Sequence, residues 1–182
     1  MPDIYRDNPN LKRANVQIEF TKEQIQEYQK CWEDPVYFTE SYVKIISLDE
    51  GLIPFKLYNF QRQMMWTFHT ERFTICKLPR QSGKSTTIIA YLLHFCLFNP
   101  TVSVAILANK AVVARDLLGR LQLAYEHLPK WLQQGVVVWN KGNIEIENGS
   151  KVIAAATSSS AVRGSSFNII FLDEFAHVPQ NI

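Results

Sequence analysis

The stretch from Cys76 to Thr87, CKLPRQSGKSTT, carries residue types that can bind phosphate. It contains Gly83, Lys84 and Ser85, which end the phosphate-loop pattern G-x-x-x-x-G-K-S/T, whereas Leu78 stands where that pattern has its first glycine. The loop follows the apolar stretch FTICKL, a predicted strand, and opens a long apolar helix, which is the setting that a phosphate loop requires. Taken alone, an ordinary strand-to-helix turn with a surface lysine remains an alternative.

Each polar group of this stretch has a definite role if the loop binds a nucleotide. Backbone N–H groups from Ser82 to Thr86 would converge on the phosphates at a helix N-terminus. Lys84 would bridge the β- and γ-phosphates as a point charge, and the Ser85 hydroxyl would hold Mg²⁺. Arg80 could fold onto the γ-phosphate as an internal arginine finger. A solvated arginine, or one that contacts an acidic neighbour, is the alternative for Arg80.

A second group of candidate residues ends the apolar stretch NIIFLDE. Asp173, at the carboxyl end of a predicted buried strand, suits a water-mediated contact to Mg²⁺. Glu174 is placed to orient and polarise the attacking water. The alternative is a strand that simply ends in solvated acids. The two motifs together, in this order, predict an ATP-hydrolysing site.

Gln61 lies 23 residues before Lys84 in the stretch YNFQRQMM. A glutamine amide can both donate to and accept from the N6/N7 edge of adenine, which would select ATP over GTP. A surface glutamine on a helix is the alternative. The predicted nucleotide-binding residues are Gln61, Gln81, Ser82, Gly83, Lys84, Ser85 and Thr86. The predicted catalytic residues are Glu174, Arg80 and Lys84, and the predicted Mg²⁺ ligands are Ser85 and Asp173.

Elements that position these residues alternate from Phe60 onward. Helical patterns occur in QRQMMWTFHT, KSTTIIAYLLHFCLF and KAVVARDLLGRLQLAYEHLP, and apolar strand patterns in FTICKL, VSVAILA, GVVVWN, NIEIEN, KVIAAAT and NIIFLDE. The third helix has one apolar face, formed by Val113, Leu117, Leu121, Ala124 and Leu128. Such alternation with buried strands predicts an α/β fold with a three-layer sheet.

Residues 1–54 are predicted to form an extended arm and a small helical appendage, and residues 55–182 the main domain. Thr21 has the position of an N-cap, and Gln24 completes a capping box. The helix that they begin should end before Pro35. A second short helix is predicted in VYFTESYVKII.

The overall composition is that of an ordinary globular protein of 182 residues, with 47% hydrophobic and 20% charged residues. A net charge of +2 permits a nucleic-acid partner without arguing for one. The three cysteines show no C-x-x-C spacing, so we expect reduced thiols in a cytosolic compartment. Neither a signal peptide nor a membrane-spanning apolar run is evident.

Three segments, LPRQSGKSTT, FQRQMM and AVRGSSFNIIFLDE, resemble the ATPase part of tailed-phage terminase large subunits of the T-even myovirus type, which are DNA-packaging motors. The resemblance covers nearly the whole chain. It implies a P-loop NTPase of the additional-strand type with ATP and Mg²⁺ as cofactors. By resemblance, Arg80 is the internal finger and Gln61 the adenine contact. Arg163 matches a stretch common in the family but has no assigned role.

The same resemblance implies the partners of a packaging motor: double-stranded DNA, the portal protein and the small terminase subunit. It also implies an oligomeric ring on the procapsid, in the host cytoplasm and without a membrane. A helicase-like DNA motor and a nucleotide-binding fragment without turnover are the alternatives.

The sequence departs from the family pattern after Glu174, where only eight residues follow. The family continues with a coupling motif, further strands and a nuclease domain. One of those strands usually inserts between the phosphate-loop strand and the Asp-Glu strand. We therefore expect an N-terminal portion, truncated after the Asp-Glu motif, whose sheet has a gap in the middle. Such a portion should be marginally stable and hydrolyse ATP poorly.

Overall fold

The computed structural model describes residues 3–158 and 164–174. Its helices are α1 (Lys22–Glu33), α2 (Pro35–Tyr42), α3 (Asn59–Thr70), α4 (Lys84–Phe98) and α5 (Ala111–Glu126). Its strands are β1 (Ile4–Tyr5), β2 (Asn8–Lys12), β3 (Lys44–Ser47), β4 (Gly51–Pro54), β5 (Ser103–Ala108), β6 (Val136–Trp139), β7 (Asn143–Ile146), β8 (Lys151–Ala156) and β9 (Ile169–Leu172).

The main sheet has five strands in the order β6-β7-β8-β5-β9. Strand β5 runs parallel to β8 and β9, whereas β6, β7 and β8 form an antiparallel meander. In β7, Ile144 and Ile146 are buried and alternate with partly exposed residues, as expected for a half-buried strand. The turn before β8 contains Gly149 at φ +83°, a conformation that favours glycine. The chain therefore has a mixed α/β fold.

The main core lies on one face of this sheet. Val104 and Ile106 of β5 join a buried cluster with α4 and α5, and ten of the fifteen residues of α4 are buried. Of the five residues predicted to form the apolar face of the helix that is now α5, four are buried: Leu117, Leu121, Ala124 and Leu128. On the opposite face, Ala105 and Leu107 pack against Phe167. The described helices thus cover one face, and a third layer remains a prediction.

The predicted strand FTICKL is wrong for this structure. Residues 73–78 have no strand pairing, and the side chains of Phe73 and Ile75 are 84% and 97% exposed. An apolar run becomes a strand only when a neighbouring strand accepts its backbone hydrogen bonds. Within residues 3–158 and 164–174, β9 is the last strand of the sheet and pairs only with β5. The segment before the loop therefore has no strand partner among the described residues.

The starts of the two N-terminal helices follow local capping rules. The Thr21 hydroxyl accepts a hydrogen bond from the Gln24 N–H at 3.2 Å, and the Gln24 side chain accepts one from the Thr21 N–H at 3.0 Å. This confirms the predicted capping box. Asp34 ends α1, and its carboxylate accepts from the N–H groups of Val36 and Tyr37 to begin α2.

The second helix is shorter than predicted. Helix α2 ends at Tyr42, and the residues after Val43 form a hairpin of β3 and β4 in which Ile45 pairs with Ile53. The stretch VKII is rich in β-branched residues, which favour a strand once a partner is present. The partner of this strand is β4, which lies later in the chain. The sequence analysis therefore extended the helical pattern of the preceding residues too far.

The predicted extended arm is a hairpin instead, because β1 and β2 pair antiparallel. The end of this N-terminal arm lies against the β6 edge of the main sheet. Arg13 makes a parallel bridge to Val136, and the buried Leu11 joins the main core. The Gln133 side chain accepts a hydrogen bond from the Lys12 N–H at 3.0 Å. Lys12 Nζ also forms an ion pair with Glu147 at 3.0 Å. The arm therefore covers an edge strand that would otherwise expose its backbone groups.

Gly135 allows this close approach of the arm. A Cβ at residue 135 would lie 2.4 Å from Ala14 Cα and 2.7 Å from the Arg13 carbonyl oxygen. We expect Gly135→Ala to detach the arm, so that hydrogen exchange of the Lys12 N–H, which donates to Gln133, accelerates about tenfold, the effect of about 1.4 kcal/mol. Gly119→Ala is the matched control, because nothing lies within 4 Å of its added Cβ. Equal protection of the Lys12 N–H in both variants would contradict the prediction.

No helix within residues 3–158 and 164–174 is long and apolar enough to cross a membrane. The three cysteines are free thiols, and Cys31 and Cys96 are buried. Burial raises the pKa of both thiols to about 12, so they stay protonated and unreactive near neutral pH.

Candidate nucleotide-binding site

The predicted phosphate loop joins the irregular segment before it to the N-terminus of α4. Two of its residues, Gln81 and Gly83, have positive φ angles of +60° and +74°. Gly83 is the N-cap of α4, and its carbonyl oxygen accepts from the Thr87 N–H at 2.9 Å. A Cβ at residue 83 would lie 2.6 Å from Gln61 Nε2. Both the left-handed conformation and this contact explain why a glycine occupies the position.

Ser85 and Asp173 meet although 88 residues separate them. The Ser85 hydroxyl donates a hydrogen bond to Asp173 Oδ1 at 3.2 Å. Ser85 lies in the first turn of α4, and Asp173 follows β9, where its N–H donates to the Leu107 carbonyl oxygen at 2.8 Å. Asp173 is buried, and the adjacent Glu174 is exposed with φ +49°. The fold therefore brings the two predicted Mg²⁺ ligands into direct contact.

The two predicted cationic residues lie at the same loop. Lys84 Nζ donates to the Pro79 carbonyl oxygen at 3.5 Å. Arg80 is exposed, and no carboxylate within the described ranges forms an ion pair with it. A third cation that the sequence analysis missed, Arg120 of α5, donates from Nη1 to the Thr86 hydroxyl at 3.4 Å. No motif marks Arg120, because its proximity arises only from the packing of α5 on α4.

A cavity of about 860 Å³ adjoins the loop. On the loop side it is lined by Leu78, Pro79, Gln81, Ser82, Gly83 and Thr86. The opposite wall comes from the β3–β4 hairpin, the segment before α3 and the first turn of α3, with Ile45, Glu50, Ile53, Pro54, Phe55, Lys56, Tyr58, Phe60 and Gln61. Sequence reasoning missed the hairpin wall because it assigned part of β3 to a helix. The cavity combines a polar loop with a largely apolar wall, as ligand sites usually do.

Gln61 lies at the junction of α3 and the loop. Its side chain is only 2% exposed. Its Oε1 accepts from the Tyr58 N–H at 2.9 Å, and its Nε2 donates to the Ser82 carbonyl oxygen at 3.3 Å. The structure therefore places Gln61 against the predicted loop, with both polar atoms of its amide bonded within the protein. Its predicted contact with adenine stays a prediction.

The residues present fit a nucleotide with Mg²⁺. The Ser82 hydroxyl is buried and has no hydrogen-bond partner in the described structure, so it is available to an acceptor on a ligand. A serine hydroxyl and a carboxylate are hard oxygen donors, which Mg²⁺ prefers alongside water and phosphate oxygens. Arg163, singled out in the sequence, lies outside the described residues.

Comparison with known proteins identifies the family. Residues 75–182, more than half of the chain, match the family model described as terminase large subunit, T4likevirus-type, N-terminal. The chain therefore belongs to this terminase large subunit family, which confirms the resemblance found in the sequence.

The fold is similar to a solved structure, the crystal structure of the HK97 bacteriophage large terminase. The similarity covers 78% of this chain, with a TM-score of 0.62 and 17% sequence identity. The chain spans 30% of the length of that terminase. At this level of identity, the match shows a shared mixed α/β fold.

Proposed function

We propose that this chain is the nucleotide-binding part of a DNA-packaging motor, a P-loop NTPase that binds ATP with Mg²⁺ and hydrolyses it. The observation that carries the proposal is the 3.2 Å hydrogen bond between the Ser85 hydroxyl and Asp173 Oδ1. Sequence reasoning derived these residues from separate motifs, and a metal site requires them to be close. If the loop were an ordinary turn with a surface lysine, nothing would require Ser85 and Asp173 to be in contact.

Each residue then has one task. The N–H groups from Ser82 to Thr86 hold the phosphates at the N-terminus of α4, and Lys84 adds a positive charge. Ser85 and Asp173 would hold Mg²⁺, which would supply positive charge that neutralises the phosphates. Glu174, exposed beside Asp173, orients the attacking water.

The additional-strand type of this fold is also a proposal. Ile170 and Leu172 of β9 are half exposed at the sheet edge, and Phe73 and Ile75 are exposed before the loop. Among the described residues, β9 has no strand on the side away from β5, and residues 73–78 have no strand partner on either side. These two open sides support the insertion of a further strand between the segments in the whole protein. That strand would complete the sheet and hold the loop in place.

In the whole protein, ATP hydrolysis would move double-stranded DNA into the procapsid. The proposed partners are the portal protein and the small terminase subunit, in a ring assembled on the procapsid in the host cytoplasm. A helicase-like motor would share the same nucleotide core.

Nucleotide binding without turnover is a second candidate for the 182-residue chain, because the segment that supports the loop has no strand partner among the described residues. Glu174→Gln would leave such binding unchanged.

Asp173→Asn tests the proposed metal site. We expect ATP binding in the presence of Mg²⁺ to weaken about tenfold, because an amide is a poorer partner for the hydrated ion. Binding with EDTA present should not change. Isothermal titration calorimetry with both buffers measures the effect, and Asp116→Asn, an exposed aspartate on α5, is the matched control. Mg²⁺-independent binding, or equal affinities of Asp173→Asn and wild type, would refute the assignment.

A further inference from the structure

We propose that Arg120 of α5 is a positioning residue for the nucleotide phosphates, which acts through the Thr86 hydroxyl at the start of α4. The inference rests on the proposed function, because it concerns the same nucleotide site. Its starting point is the hydrogen bond from Arg120 Nη1 to Thr86 Oγ1 at 3.4 Å, which joins two packed helices beside the cavity that Thr86 lines.

The hydroxyls of Thr86 and Thr87, which are adjacent at the start of α4, have different hydrogen-bond partners. The Thr87 hydroxyl donates to the Gly83 carbonyl oxygen at 3.0 Å, so its proton is used within the helix. The Thr86 hydroxyl instead accepts from Arg120, and it donates to no acceptor within residues 3–158 and 164–174. Because a hydroxyl that accepts one hydrogen bond can still donate another, the Thr86 proton is available to a ligand in the cavity.

The Arg120 guanidinium brings positive charge to this hydroxyl. Asp116, four residues earlier on α5, has the spacing of a favourable ion pair, but no carboxylate within the described ranges forms one with Arg120. A hydrogen bond from a cation draws electron density from the hydroxyl oxygen, which makes the hydroxyl a stronger donor. The Thr86 N–H already belongs to the set proposed to bind phosphate. The polarised Thr86 hydroxyl therefore suits a phosphate oxygen, an anionic acceptor.

Helix α5 is anchored firmly enough to hold Arg120 in place. Leu118 and Leu121, on either side of it in the chain, are fully buried and belong to the main core, which also includes α4. Gln122 Nε2 donates to the Asn140 carbonyl oxygen at 3.0 Å, which ties the helix to the turn between β6 and β7. A donor on such a support is preorganised, so a phosphate would meet a hydroxyl that is already oriented.

A double-mutant cycle tests whether Arg120 acts through Thr86. We would measure the affinities of ATP and inorganic tripolyphosphate by calorimetry for wild type, Thr86→Val, Arg120→Met and the double variant. Valine keeps the branched shape and the N–H of threonine, and methionine keeps an apolar stem, so each change removes mainly polar groups. We expect Thr86→Val to lose about tenfold and Arg120→Met about fivefold in affinity for both ligands. The double variant should also lose about tenfold, because the contribution of Arg120 disappears with the hydroxyl.

Arg115→Met is the matched control, because Arg115 is an exposed arginine on the same helix. It should bind both ligands as wild type does, and thermal unfolding of each variant checks that the chain is folded. Unchanged tripolyphosphate affinity in Arg120→Met would overturn the inference alone. A loss of about fiftyfold in the double variant would do the same, because independent effects multiply. A wild-type chain that binds neither ligand, or that binds them equally well after Lys84→Ala, would overturn the proposed function as well.

Discussion

Arg80→Ala should lower the rate of ATP hydrolysis about 10³-fold, the low end of the effect of an arginine finger. Arg80 belongs to the loop itself and is exposed, and no described carboxylate holds it. Its guanidinium can therefore turn onto a γ-phosphate when negative charge develops there. Because the contact matters mainly in the transition state, the ATP dissociation constant should change only a few-fold. Single-turnover hydrolysis with protein in excess over ATP measures the rate.

Arg72→Ala is the matched control for Arg80. Arg72 is exposed like Arg80 but lies upstream of the loop, and its guanidinium is 5.2 Å from the ring centre of Phe73. Its replacement should leave hydrolysis within a few-fold of wild type. If Arg80→Ala hydrolysed ATP as fast as Arg72→Ala, the finger assignment would fail while nucleotide binding could still stand.

Lowering the pH from 7 to 5 should reduce the free energy of unfolding by about 2 kcal/mol through His94 alone. His94 is 1% exposed, its Nε2 bonds the Cys31 carbonyl oxygen at 2.8 Å, and its Nδ1 has no partner in the described structure. Burial, opposed by that hydrogen bond, lowers the pKa of His94 from 6.5 to about 4. The unfolded chain therefore binds a proton more readily than the folded chain. This contribution is complete above pH 6.5 and is lost as pH falls toward 4.

His94→Gln removes the titrating ring and retains a side-chain amide that can donate to the Cys31 carbonyl oxygen. Its unfolding free energy, measured with urea at pH 7 and pH 5, should vary about 2 kcal/mol less than that of wild type. His127→Gln is the control, because that ring is only partly buried and bonds the Leu123 carbonyl oxygen at 2.8 Å. If the unfolding free energies of wild type and His94→Gln changed equally between pH 7 and pH 5, groups other than His94 would cause the loss of stability.

The starts of α1 and α4 could be predicted to the residue, because the interactions that form them are local. Thr21 and Gln24 satisfy each other's backbone within one turn, and Gly83 begins α4 directly before Lys84. Strands were predictable only where a partner exists. The apolar stretches that became β5, β7 and β8 pair with one another, whereas FTICKL has the same character but no described neighbour. The same dependence on a partner explains why the hairpin of β3 and β4 was missed.

The candidate site was predictable residue by residue but not as an arrangement. The types and spacing of Lys84, Ser85 and Asp173 indicated phosphate and metal chemistry without any coordinates. The sequence could not reveal that the Gln61 amide bonds the Ser82 carbonyl oxygen. Nor could it indicate that Arg120 reaches Thr86, since that contact depends on how two helices pack.

By itself, the sequence indicated the family, the candidate phosphate loop, the acidic pair and the starts of α1 and α4, since these depend on residue types and on contacts within a few positions. Only the tertiary structure decided which of these parts meet. In the tertiary structure Ser85 bonds Asp173, the β3–β4 hairpin lines the cavity beside the loop, and the arm contacts β6. Contacts between residues far apart in sequence follow strand order and helix packing, which are properties of the whole chain rather than of any local pattern.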